Sequence, residues 1–405
     1  VVIPKMSHKF LLIWVLLGTV LLSGCWDHKE TGDLALVMGM GIDKTEDDLY
    51  QVSFQIVNPG RVAGGKTGQG QGAAVTTYSE TGKTILETIR KVTQKAPRLL
   101  TFSHTGVLII GEDLAAEEGL KKIFDFIERY HDFRSTTLVL IAKGGEAKSI
   151  LSILSPLERI PAIKIQEIIE KSEQAWGESP ERNINDVAQM LSGKSKGLSL
   201  GGIELVGDLA KGQSSAVNMQ ATPDSLVKVN GLALFKDGKL RGWFEGEKAR
   251  GVAWVQNNVN RAILSANCNP DEGAMAAEIL RTHTRWQPKV VKGKPKITLN
   301  IRAEGQLADI ACAIDLSNPD NMSWLDKRFA AEIKQEVTKA VEAAQEQNND
   351  IFGFGEAINR ADPKAWKKMK KNWSESFADM DFQVNVKVFI RGTGLRKEPL
   401  ILKKK

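Results

Sequence analysis

The sequence is poor in the residues from which most catalytic and metal centres are built. It has five histidines and three cysteines in 405 residues. None falls into the His-x3-His or Cys-x2-Cys spacing that would hold a metal ion. His8, His28, His104, His131 and His283 stand apart, and His104 sits beside Ser103 in a strand-like run, where neighbouring side chains point to opposite faces. Long hydrophobic runs are missing too. The most apolar, Phe10–Leu22, falls short of the ~20 residues that cross a bilayer as a helix, which disfavours a permanent transmembrane anchor. Charge is nearly balanced, at a formal +6, and 42% hydrophobic with 26% charged residues describes an ordinary globular chain, neither disordered nor multi-span.

What stands near the start is a leader. Lys5 and Lys9 precede the apolar run and small residues follow it, the order of a basic n-region, an h-region and a processing site. That site is not A-x-A. Leu22-Ser23-Gly24-Cys25 resembles a bacterial lipobox, whose cysteine thiol receives a diacylglyceryl group and becomes the first residue of the mature chain. Two acyl chains supply the dual signal that stable anchoring requires. Residues 1–24 are therefore expected to be a lipoprotein signal peptide and Cys25 the lipidated residue, with the body on the extracytoplasmic face of a membrane. A secreted chain with a chance cysteine is the alternative. Nucleic acid is not an expected partner in that compartment. Lysines gathered at Lys364–Lys371 and Lys403–Lys405 suit a neighbouring anionic membrane.

Beyond residue 24 the chain is long enough for two or three domains at ~100–200 residues each. Leu34–Asp43 and Leu49–Asn58 read as a hairpin, the second strand alternating Val52, Phe54 and Ile56 with polar residues. A glycine-rich loop covers 60–72. Ala73–Glu80, Phe102–Gly111 and Ser135–Gly144 read as strands, alternating with helices over Lys83–Lys95 and Leu114–Tyr130, the pattern of an α/β or α+β lobe. Residues 146–192 are mostly helical, and Gly202–Ala210 is a strand. The polar, aperiodic stretch 211–225 is the expected linker between an N-terminal region (25–210, with a helical part near 146–192 that could form a subdomain) and a C-terminal one (226–405).

The second half opens with Leu226–Gly246, where Asp237-Gly238 between two apolar strands is a strong hairpin signal. A short helix over Glu247–Asn257 follows, then strands near Ala262–Ala266, Glu278–Trp286, Lys296–Ala303 and Leu307–Ile314. Over Asp320–Gln347, Leu325, Phe329, Ile333, Val337, Val341 and Ala344 form one apolar face of a long helix. A last helix begins at Pro363 with Asp362 as its cap, and Phe382–Arg391 is a final strand. The fold class is α+β, a multi-domain body with mixed sheets and helices in two lobes.

Three formal motif matches carry no chemistry. Gly60 to Thr67 satisfies G-x-x-x-x-G-K-[ST], but a phosphate cradle needs a helix starting at the Lys-Thr, and Gly68, Gly70 and Gly72 follow instead. Gly82-Lys83-Thr84 opens a helix but lacks the first glycine, so Lys83 reads as a solvated first-turn residue. Gly193-Lys194-Ser195-Lys196-Gly197 fits G-x-S-x-G, yet it follows a helix and precedes a strand, the inverse of a nucleophile elbow. No catalytic residue, metal ligand or cofactor site is expected.

Two features remain. With Cys25 lipidated, Cys268 and Cys312 form an even pair in a compartment where disulfides persist; they are either bonded or two separately buried thiols. In the last helix Trp366, Met369, Trp373 and Phe377 fall on one side, while Lys364, Lys367, Lys368, Lys370 and Lys371 cover the rest. Packing onto its own domain with a solvated basic face competes with contact to anionic lipid or a partner.

GCWDHKE with GMGID after it, SFQIVNPG, SHTGVLIIGEDLAAEEGL with ERYHDFR, GLALFKDGKLRGWFEGEKARG and DIFGFGEAINRADPKAWKKMKKNW recur in order and spacing in one family. On these the chain resembles the Ger(x)C family, lipoprotein C subunits of nutrient germinant receptors in spore-forming bacteria. The resemblance implies an elongated arrangement of the α+β domains, and assembly rather than catalysis: a subunit on the outer face of the spore inner membrane, beside integral membrane subunits A and B, anchored through Cys25. The glycine-rich 60–72 segment departs from that likeness. A solute-binding lipoprotein is the competing class, but the sequence lacks two similar α/β halves and clear hinge strands. A surface enzyme is a third, left without a motif.

Overall fold

The hairpin at the start of the body forms where its alternation places it: β1 (Leu34–Lys44) pairs antiparallel with β2 (Tyr50–Val57). The computed structural model describes residues 31–392 apart from 63–71, 194–196, 215, 218–219, 260, 269–272 and 313, together with Lys9. The leader and Cys25 lie outside the described residues. The first sheet continues with β3 (Val75–Gly82), β4 (Leu99–Thr101), β5 (Val107–Gly111), β6 (Leu138–Ala142), β7 (Ser199–Gly207), β8 (Ser225–Lys236) and β9 (Lys239–Phe244). Its order is β3-β2-β1-β5-β6-β7-β8-β9, with β4 beside the start of β1. The central strands β1, β5, β6 and β7 are parallel. Every residue of β5 and β6 is buried, because VLIIG and LVLIA are covered on both faces.

On one face lie α1 (Ile85–Lys91), α2 (Glu112–Glu117) and α3 (Lys121–Arg129); on the other, α4 (Ala147–Leu151) and α5 (Pro161–Ala175). The chain then returns to the first face as α6 (Ile184–Leu191), opened by a capping box between Asn183 and Asp186. The helix expected over Leu114–Tyr130 is two helices. Gly119 interrupts it at φ +85°, where a Cβ would meet the carbonyl of Gly238.

The Asp237-Gly238 turn forms as expected, with φ of 56° and 85°, but its hairpin belongs to the first sheet. β8 pairs antiparallel with β7 along Ser199–Gly207, so the division expected at 211–225 falls between two neighbouring strands of one sheet. The reason is edge pairing: the free edge of β7 is satisfied by the next strand in the chain, which local composition does not reveal. β8 then serves both cores. Leu232 and Leu234 pack with the second lobe, while Ala233 and Phe235 pack with the first.

The second lobe comprises α7 (Gly246–Val255), β10 (Ala262–Asn267), β11 (Ala274–Val291), β12 (Lys294–Ile310), α8 (Pro319–Glu346), α9 (Phe354–Ala361), α10 (Pro363–Met369), α11 (Trp373–Ala378) and β13 (Asp381–Gly392). Its sheet runs β10-β11-β12-β13, with β13 parallel to β12. The two strands expected over Lys296–Ala303 and Leu307–Ile314 are one. Gly305 bridges them at a shift in register, where a side chain would meet the backbone of Glu278 and Ile279. The apolar face of α8 is buried as its spacing requires. Cys268 follows β10 and Cys312 follows β12; both are buried, with Cα atoms 6.2 Å apart, inside the span of a disulfide.

α7 and α8 meet closely because Gly251 leaves no space for a Cβ against the Glu336 carbonyl. The Glu336 side chain, 4% exposed, accepts a hydrogen bond from Trp254 Nε1 at 2.8 Å and from Arg250 Nε at 2.9 and 3.0 Å. Burial opposes the Arg250 cation, but the hydrogen bond and charge of Glu336 more than offset this and raise its pKa. Glu336→Ala strands that cation and should cost roughly 3–5 kcal/mol. Replacing both residues, Arg250→Met with Glu336→Leu, should cost clearly less. Urea unfolding of the three chains checks this, and equal losses for the single and double variants would contradict it.

Candidate interaction surface

Ligands of open α/β sheets usually enter at the carboxyl ends of parallel strands. Here those positions are filled by the protein's own side chains. Asp43, near the end of β1, is 3% exposed. Its Oδ1 accepts the Ala147 N–H at 2.7 Å and its Oδ2 the Lys148 N–H at 3.0 Å, so the first turn of α4 is capped from within. Gly111, at the end of β5, has no room for a side chain against Asp43. Next to it, Glu112 accepts from Trp243 Nε1 at 2.7 Å and from the Gly144 N–H, and Lys143 pairs with Glu245. The arrangement locks the end of β1 to the start of α4 and the start of α2 to β9. Among the described residues no group of three or more His, Cys, Asp or Glu could hold a metal ion.

The formal motifs resolve the same way. Thr84 is the N-cap of α1, its hydroxyl accepting the Glu87 N–H at 3.1 Å, and Lys83 is exposed. Gly193 has φ +72° and links α6 to β7, a helix-to-strand connection; residues 194–196 lie outside the described residues. So does most of the Gly60–Thr67 match.

The basic helix is best understood from what lies beneath it. Asp350 accepts four hydrogen bonds, from the N–H groups of Gly353, Phe354 and Gly355 at 2.8–3.0 Å and from Trp373 Nε1 at 2.9 Å. Burial pushes its carboxyl up, and these four donors pull against it. Gly353, at φ +83°, lets the backbone curl around the carboxylate. Gly355 carries the two indoles: a Cβ there would lie 2.8 Å from Trp373 and 2.9 Å from Trp366. Trp366 and Trp373 meet edge to face at 5.1 Å between ring centres and pack against the second-lobe core.

The expected single helix is α10, a 3-10 turn over Lys370–Asn372, and α11. Trp366 and Trp373 are half-buried, whereas Lys364, Lys367, Lys368, Lys370 and Lys371 are exposed. The tryptophans thus fix the helix and the lysines face outward. Sequence reasoning missed Asp350 and Asp43. The available signal for Asp350 was an aspartate three residues before Gly-Phe-Gly; for Asp43 there was none, because its partners lie more than a hundred residues away.

The architecture is two α+β lobes around a shared strand, with Asp43, Glu112 and Lys143 engaged in internal hydrogen bonds and an ion pair at the strand ends. Residues 27–205 match the family described as "Spore germination protein N-terminal domain", and residues 230–394 match "Spore germination B3/ GerAC like, C-terminal". The chain is 34% identical over 401 residues to "Spore germination protein KC" of Bacillus subtilis (strain 168), covering 98% of each chain. It is 23% identical to "Spore germination protein B3" of the same organism, over 94% of this chain and 96% of that one. The crystal structure of the GerBC protein superposes with a TM-score of 0.55 at 18% identity, over 87% of this chain and 97% of that one, and so shares the fold. The chain belongs to the GerAC family of spore germination proteins. It is a C subunit of a germinant receptor and not an enzyme.

The buried Asp43 gives a measurable pH signature. Burial raises its pKa from 3.8 to about 6, against the two backbone donors that lower it. Between those values the folded chain holds a proton that the unfolded chain has released. Stability from this group is therefore fully present below about pH 4 and lost as pH rises through about 6. Between pH 5 and pH 7 the loss is about 1 kcal/mol. Asp43→Asn should remove that component, measured as the difference between the two chains' unfolding free energies at each pH. A difference independent of pH would contradict the assignment.

Proposed function

We propose that this C subunit is tethered to the outer face of the spore inner membrane by a diacylated Cys25 and acts in nutrient germination through contacts with the integral A and B subunits. The observation that carries the reading is the lipobox cysteine ahead of a two-lobed body whose strand-end carboxylates, Asp43 and Glu112, are engaged by its own N–H groups. Among the described residues no helix is long and apolar enough to cross a membrane. A tether confines the body to the membrane plane and raises its effective concentration beside embedded subunits, so weak lateral contacts suffice. The exposed lysines from Lys364 to Lys371, held by Trp366 and Trp373, are the proposed contact surface for membrane or partner. A solute-binding lipoprotein would close two lobes about a free hinge. A strand whose two faces belong to two cores opposes that motion.

Cys25→Ala should abolish fatty-acid labelling and release the chain from the membrane fraction; persistent label on the variant would defeat the anchor. Deleting the gene where redundant receptors are already absent should slow germination with the cognate nutrient and spare triggers that bypass receptors. Unchanged nutrient germination would defeat the role.

We also propose that Cys268 and Cys312 are bonded. Peptide mapping without reductant should recover them linked, and their removal should cost roughly 2–5 kcal/mol. Complete alkylation of both in the native chain would refute the bond.

A further inference from the structure

The β11–β12 hairpin ends in a lysine-rich tip. Lys289, Lys292 and Lys294 are exposed there, Lys296 is half-exposed, and Val291 is 50% exposed among them. The turn is tight, with Lys292 at φ 51° and Gly293 at φ 82°, and it closes a narrow two-stranded finger whose base packs on the core through Val290. From Gln287 to Lys296 there is no acidic residue.

The same end of the lobe carries the basic helix. β13 begins at Asp381 in register with Lys296, and α11, which packs on β12, comes directly before it. Val290, Trp366, Met369 and Trp373 all pack against one core. The finger and α10 with its 3-10 turn therefore project from one end of the second lobe and together present nine lysines. Among the described residues the ion pairs of this lobe are Arg250–Glu336, Arg302–Glu304, Arg328–Glu332, Lys339–Glu247 and Arg391–Glu304, none of which involves those lysines. The acids at this end are few. Asp362 is committed to capping α10 through the Ala365 N–H, and Glu375, Asp379 and Asp381 are exposed.

We infer that this end of the second lobe is a membrane-docking surface that binds the phosphate headgroups of an anionic bilayer. Lysine is a point charge suited to phosphates of no fixed geometry, and a cluster of 4–8 basic residues is what an anionic leaflet attracts. The exposed Val291 between lysines adds a small apolar contact below the headgroups. The proposal extends the membrane reading given above: the first lobe is held through Cys25 by a stretch of chain that reaches on the order of 30 Å at most. A second, electrostatic contact would then fix how the body lies on the bilayer.

The docking surface is testable apart from the lipid anchor. The cores lie wholly between Ala35 and Ile390, so a chain beginning at Trp26 keeps them while lacking Cys25. Its binding to vesicles of phosphatidylglycerol mixed with phosphatidylcholine, and of phosphatidylcholine alone, would be measured by co-sedimentation at low and high salt. Binding should require the anionic lipid and fall steeply with salt. Glutamine at Lys289, Lys292, Lys294 and Lys296 should weaken it by at least about tenfold, as should glutamine at the five helix lysines, with unchanged thermal unfolding. Val291→Ser should lower mainly the binding that survives high salt. Equal binding to both vesicle types, or unchanged affinity in both lysine variants, would overturn the proposal. So would lysine variants that keep lipid binding but lose association with the membrane subunits, since the surface would then serve an acidic protein. Fatty-acid labelling at Cys25 reads the anchor independently of every one of these outcomes.

Discussion

The structure depends on one strand having two insides. β8 presents Leu232 and Leu234 to the second lobe and Ala233 and Phe235 to the first, by the plain alternation of side chains along a strand. Residues on both faces are fully buried or nearly so. Moving one lobe against the other would expose large apolar surface, at about 25 cal/mol per Å². The lobes are thus one mechanical unit, although the chain builds them in sequence and each has its own sheet.

Around that wall, a few buried polar groups decide the geometry. Glu336 ties α8 to α7 through Arg250 and Trp254, Asp350 gathers three backbone N–H groups and one indole, and Asp43 joins the end of β1 to the start of α4. Each carboxylate sits where the backbone comes too close for a side chain, at Gly251, Gly355 and Gly111. Such contacts are poor sources of net stability but strict about position. They suit a protein that must present surfaces in fixed relation rather than move a substrate.

Side chains at the parallel strand ends are spent on internal locking, while the lysines at the end of the second lobe have no ion-pair partner among the described residues. Electrostatics guides association and orientation more than it adds affinity, so a lysine-bearing end is suited to orienting the body against an anionic surface.

Much of this was legible in the sequence where the signal is local. The β1–β2 and β8–β9 hairpins, the long face of α8, and the Asp362 cap follow from periodicity and turn chemistry, which act over a few residues. The inward face of Trp366 and Trp373 is likewise a matter of local spacing. Tertiary structure alone decided which sheet receives β8 and β9, because edge pairing joins residues by geometry and leaves no mark in composition. It alone broke the helix at Gly119, where the chain passes the Gly238 carbonyl, and fused two apparent strands through Gly305. It also set Asp43 beneath α4 and brought the lysines of the β11–β12 tip to the same end as those of α10, partners separated by some seventy residues or more, for which a chain read in order has no adjacency to report.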